Sequence, residues 1–83
     1  MTIKLYIGNL NRVTSEADLE TLFNRAGLVM SVAIPTDAKT GYRKNYGYVN
    51  MGTEAGAQAA IQTLNGSMLR EQQISVREAG PKD

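Results

Sequence analysis

With 83 residues the chain has room for one small domain, and with neither cysteine nor histidine it has no disulfide staple, no thiolate or imidazole metal site and no histidine acid–base chemistry. The formal net charge of +1 is weak support for a polyanionic partner, so where the charges sit matters more than their sum. No stretch approaches the ~18–20 consecutive apolar residues of a membrane span, and Met1-Thr2-Ile3-Lys4-Leu5 runs straight into a strand-like segment with no room for a signal peptide, which predicts a soluble, cytoplasmic protein without a membrane partner.

Lys4-Leu5-Tyr6-Ile7 combines β-branched and aromatic residues and stops at Gly8-Asn9, so it reads as a strand. Ser15-Glu16-Ala17-Asp18 has the form of a capping box, with Ser15 as N-cap and Asp18 reaching back from the third helical position in place of the usual Glu. Behind it Leu19, Leu22, Phe23 and Ala26 repeat at i, i+3, i+4 and i+7, which predicts one buried helical stripe stopped by Gly27. Val29 to Ile34 predicts a second strand with Val32 and Ile34 on one face. Pro35 ends its pairing, since proline donates no ladder hydrogen bond.

Residues 36–41 supply Asp, Thr and Gly for a turn, and Arg43 to Met51 predicts a third strand, so the two strands form a hairpin with a long basic loop. Thr53 caps a second helix whose stripe is Ala57, Ala60, Ile61 and Leu64, closed by Asn65-Gly66. Ile74-Ser75-Val76 alternates as the last strand. Residues 80–83 read as a frayed tail behind a domain of residues 1–79.

This order predicts an α+β fold, the ferredoxin-like βαββαβ sandwich, with a four-stranded antiparallel sheet and two helices on one face. The chain has no further elements to cover the other face, which is left to solvent. Alternation sorts each strand: Leu5, Ile7, Val49, Met51, Ile74 and Val76 pack inward, so Lys4, Tyr6, Lys44, Tyr46, Tyr48, Asn50, Ser75 and Arg77 point outward. Three tyrosines ringed by cations on a solvated face form a binding surface: aromatic planes stack bases and cations neutralise phosphates.

The segments Leu5-Tyr6-Ile7-Gly8-Asn9-Leu10 and Lys44-Asn45-Tyr46-Gly47-Tyr48-Val49-Asn50-Met51 resemble the hexapeptide and octapeptide signatures of the RNA-recognition-motif family. The resemblance runs from about Ile3 to Ala79 and is greatest to the small single-domain proteins of bacteria, notably the cyanobacterial type. It implies that Tyr6 and Tyr48 stack neighbouring bases, that Tyr46 packs against the sugars between them, and that Lys44 meets a phosphate. Five positions depart from the pattern: Asn45 and Met51 replace Gly and an aromatic, Glu71-Gln72 stands where Gly-Arg is usual, and Arg12 replaces an aromatic frequent in related small proteins.

Blander readings stand beside these. Tyrosines favour strands anyway; Lys44 and Arg43 also fit as edge charges that block sheet-to-sheet aggregation, with phosphate contact the favoured role for Lys44 and neither role favoured for Arg43; Asn9 reads first as a strand-end turn residue and second as a base contact. Arg77 and Lys4 lie on the outward register and are expected at the nucleic acid, while Tyr42 is as consistent with loop packing as with a base. The expected activity is therefore non-enzymatic binding of single-stranded RNA by a monomer without a cofactor, through Tyr6, Tyr46, Tyr48, Lys44, Arg77, Lys4, Arg43 and Asn9. Single-stranded DNA binding and a protein-interaction role are the alternatives. A small hydrolase on the same architecture would need a Gly-rich oxyanion loop with a neighbouring Arg and a nucleophile paired to a base, and the sequence shows neither.

Overall fold

The computed structural model describes residues 2–80, so the expected tail beyond Gly80 lies outside the described residues. Among the described residues eight elements follow one another: β1 (Ile3–Gly8), α1 (Glu16–Phe23), β2 (Val29–Ala33), β3 (Gly47–Met51), α2 (Glu54–Leu64), β4 (Met68–Leu69), β5 (Gln72–Gln73) and β6 (Ser75–Glu78). The main sheet runs β2-β3-β1-β6 with every neighbouring pair antiparallel. Both helices pack on one face of it, as the alternation requires: Leu5, Ile7, Val49, Met51 and Val76 of the sheet share one buried cluster with Leu19 and Phe23 of α1 and Ala57, Ala60 and Leu64 of α2. Among the described residues no helix is long and apolar enough to cross a membrane.

Both helix starts follow from their caps. Ser15 Oγ accepts from Asp18 N at 3.3 Å while Asp18 Oδ2 accepts from Ser15 N at 3.0 Å, so the capping box is complete. Such a cap is worth about 1 kcal/mol. Thr53 Oγ1 accepts from Gly56 N at 3.0 Å and starts α2 in the same way. The end of α1 is different from expectation. The helix closes at Phe23, whose carbonyl takes both Ala26 N and Gly27 N. Gly27 serves a close approach: a Cβ there would lie 2.7 Å from the Cα of Gly56, so the segment between α1 and β2 meets α2 backbone to backbone.

Three further boundaries correct the reading from sequence. The third strand begins at Gly47 and not at Arg43. Pro35 has no N–H to offer, so pairing across residues 36–46 shrinks to an isolated Thr36–Arg43 bridge and a bond from Lys44 N to Pro35 O; Asn45 O is taken by Leu10 N at 2.7 Å. The second strand ends at Ala33, although Ile34 stays buried. The last strand starts at Ser75 and reaches Glu78, while Ile74 bonds back to Ser67 and fills the core. Ahead of it lies a hairpin that the sequence pattern did not announce, β4 with β5, turning at Arg70-Glu71.

Candidate nucleic-acid interface

On the sheet face away from the helices, β1 and β3 set Tyr6 directly opposite Tyr48, with Lys4 opposite Asn50. Leu5, Ile7, Val49 and Met51 are fully buried beneath, which holds the intervening side chains outward. Tyr46 precedes the β3 ladder yet joins the same group. Its ring stacks on Tyr6 at 5.8 Å between centroids and 22° between planes, and Tyr48 meets both edge-on, at 5.8 Å from Tyr6 and 6.0 Å from Tyr46. These spacings fall in the favourable range for aromatic pairs, so the three rings hold one another in place as well as presenting their faces.

Cations lie on two of those rings. Lys4 Nζ is 4.3 Å from the centre of Tyr48, and the guanidinium carbon of Arg77 is 4.3 Å from that of Tyr6, its partner across the β1–β6 register. On the β2 side, Asn50 Nδ2 donates to Ser31 Oγ at 2.8 Å, and the small Ala33 lies opposite Tyr48. The face therefore offers aromatic planes in the middle, cations across it and an amide–hydroxyl pair to one side.

The remaining sequence-predicted residues do not all gather there. Lys44 sits on the chain leading to Tyr46 and approaches Asp37 at 3.5 Å. Asp37 is held below the usual carboxylate range by the backbone N–H groups of Lys39 and Thr40, with Lys44 adding to the effect. Arg43 turns towards Glu16 of α1 at 3.6 Å, off the aromatic group. Asn9 is locked into the fold: at φ +60 it donates through Nδ2 to Gln73 O at 2.6 Å, while Gln72 Nε2 donates to Asn9 O at 2.9 Å. The geometry around Asn9 is that of a turn residue.

A family model described as RNA recognition motif matches residues 5–75. The chain belongs to the RNA recognition motif family.

As a member of that family it is similar to RbpA of Synechocystis sp., which carries a provisional RNA-binding name: the two are 36% identical over 98% of this chain and 80% of RbpA. Among solved structures it is similar to the RNA binding protein PG1, with a TM-score of 0.88 and 35% identity over 93% of each chain. It also resembles the Sxl-lethal protein in a complex with RNA, with a TM-score of 0.89 and 31% identity over 98% of this chain and 48% of that one. The ferredoxin-like arrangement expected from the element order is thus the fold of these neighbours.

Two features of this RNA recognition motif were not singled out from sequence. The Asn50–Ser31 pair was missed because Ser31 follows a β-bulge between Val29 and Ser31, which puts it opposite Asn50 and defeats simple alternation along β2. The sequence pattern gives Asp18 a place in the cap and on a solvated acidic helix face, yet Arg70 bonds both of its oxygens at 3.0 Å from 52 residues away. That ion pair, with the Ser15 N–H, lowers the Asp18 pKa to about 2.

Proposed function

We propose that this domain binds single-stranded RNA, without catalysing a reaction, by stacking bases on Tyr6 and Tyr48 while Tyr46 packs against the intervening sugars. The observation that carries the reading is the triad of mutually packed tyrosine rings on the sheet face opposite both helices, with Lys4 and Arg77 over two of the rings. A ring face that a cation visits is a plane from which water is already partly displaced, and a base can take the same place. The cation then meets the backbone phosphate that arrives with the base. Lys44, at the edge next to Tyr46, is suited to a further phosphate. The RNA complex of the Sxl-lethal protein and the names of the cyanobacterial relatives support this reading.

The test is a pair of substitutions. Tyr6→Ala and Tyr48→Ala each remove one platform and are expected to weaken RNA binding by about 1–3 kcal/mol. Circular dichroism should show the fold retained, because both rings lie outside the buried cluster. Two variants that bind RNA as the parent does would end the stacking reading.

A further inference from the structure

We propose that the cleft between the loop after β1 and the tip of the β2–β3 hairpin is an additional nucleotide subsite, one that takes a base and its phosphate as the strand passes beyond Tyr46. The inference rests on the sheet-face reading above and extends its footprint. The cleft is a cavity of about 520 Å³ walled by Arg12 on one side and by Asp37, Thr40, Tyr42, Arg43, Lys44 and Asn45 on the other. A second hollow of about 330 Å³ shares Arg12, Tyr42 and Arg43, so these side chains form the ridge between two recesses. Volumes of this size suit small ligands, and a nucleotide is one.

The chemistry of the walls points to the same ligand class. Tyr42 is 66% exposed, a large aromatic that the fold does not use to fill its core. The guanidinium carbon of Arg12 stands 5.9 Å from its ring centre. That distance is at the outer reach of a cation–π contact, about 6 Å, so a base stacking on the Tyr42 ring competes with only a weak partner. Aromatic and guanidinium planes are the surfaces on which unpaired bases stack.

Phosphate chemistry is at hand as well. Arg43 and Lys44 line the cavity, and their ion pairs with Glu16 and Asp37 are long, at 3.6 and 3.5 Å against about 2.7–2.9 Å for a tight charge-assisted bond. Asp37, the one carboxylate among the described residues of the cavity wall, spends Oδ1 on the N–H groups of Lys39 and Thr40.

Both walls are built before any ligand arrives. On the hairpin side Tyr42 N bonds Thr40 Oγ1, Gly41 N bonds Asp37 O and Asp37 N bonds Tyr42 O; on the other, Val13 N bonds Asn11 Oδ1 and Thr14 N bonds Asn11 O. Leu10 N ties the two loops together through Asn45 O, immediately before Tyr46, so the cleft opens beside the aromatic triad. Walls fixed in advance reduce the ordering cost of a ligand that bridges them.

The experiment titrates oligouridylates of two, four and six nucleotides against the whole chain, followed by backbone amide shifts and calorimetry. The parent should bind the longer oligomers more tightly than the dinucleotide, with shifts at Arg12 and Thr40 to Arg43 appearing only for the longer ones. Arg12→Ala and Tyr42→Ala should each cut that gain by roughly 5- to 150-fold and leave dinucleotide binding as in the parent. Tyr6→Ala should weaken every length. A parent that gains nothing with length, or variants that keep the full gain, overturn the subsite while the sheet-face reading stands. A parent that binds none of the three overturns both.

Discussion

Arg77 holds its guanidinium carbon 4.3 Å from the centre of the Tyr6 ring, directly across the register that pairs the two residues on β6 and β1. An exposed cation–π contact is worth about 0.5–1 kcal/mol, whereas stacking a base on an aromatic is worth about 1–3 kcal/mol. If bases stack on Tyr6 as proposed, the base should win the ring and the displaced guanidinium should turn to the phosphate beside it. Lys4 stands in the same relation to Tyr48. Arg77→Ala and Lys4→Ala should each weaken RNA binding and reduce the slope of log affinity against log salt by roughly 0.7, the single-strand value for one phosphate contact. Fluorescence anisotropy at four or five salt concentrations reads this slope. An unaltered slope would mean that these cations stay on their rings.

Asn9 separates a turn role from a base contact. Its φ of +60 favours Gly, while its side-chain bond to Gln73 O at 2.6 Å favours Asn. Asn9→Ala loses the bond and keeps the backbone cost, so it should destabilise by about 1–3 kcal/mol in chemical denaturation. Asn9→Gly loses the bond but relieves the backbone, so it should cost less. RNA affinity of the folded variants should match the parent; a selective loss of affinity at full stability would instead place Asn9 against a base.

Asp18 links stability to acid. Its pKa falls from 3.8 in the unfolded chain to about 2 in the fold, first through the Arg70 side chain and then through the Ser15 N–H. A carboxylate depressed in this way stabilises the fold fully above about pH 4, and that contribution is lost as pH falls towards 2. Asp37 is depressed too and acts in the same direction. Asp18→Asn should thus melt below the parent at pH 6, and the gap should close between pH 4 and 2. Thermal melts across that range test it, and a gap of constant size would assign the loss to the neutral hydrogen bonds of the cap alone.

How far the site was legible depended on whether a contact is local. Alternation within β1 and β3 is a property of consecutive residues, so the outward placement of Tyr6 and Tyr48 could be read directly. The same holds for the Ser15–Asp18 box, three residues apart. Tyr46 was assigned its face by extending β3 back to Arg43; it reaches that face although the ladder starts only at Gly47. Gly27 reads as a helix stop because glycine usually signals one, while its missing side chain is used four residues past the end of α1, against Gly56 of α2. The Arg70–Asp18 pair spans 52 residues and exists only once the β4–β5 hairpin docks, so no local pattern carries it.

That hairpin was invisible for a chemical reason that also makes it improvable. Its two-residue loop, Arg70-Glu71, has φ of +51 and +66, the left-handed conformation at both central positions that Asn-Gly or Asp-Gly normally supplies. The usual Gly of the resemblance is replaced by Glu71, and the turn forms because Asn11 Nδ2 holds Arg70 O at 3.1 Å and Asp18 holds the Arg70 guanidinium. A non-glycine residue in this region costs about 1–2 kcal/mol, and glycine's extra freedom in the unfolded chain takes back about 0.4–1 kcal/mol. Glu71→Gly should therefore stabilise the domain by about 0.5–1 kcal/mol and raise its melting temperature by a few degrees. Arg70→Gly should do the reverse, because it gives up the ion pair with Asp18 together with the strain. Thermal melts of the two variants decide the matter: a Glu71→Gly protein that melts below the parent would show that the Glu71 side chain, and not the backbone at that position, supports the turn.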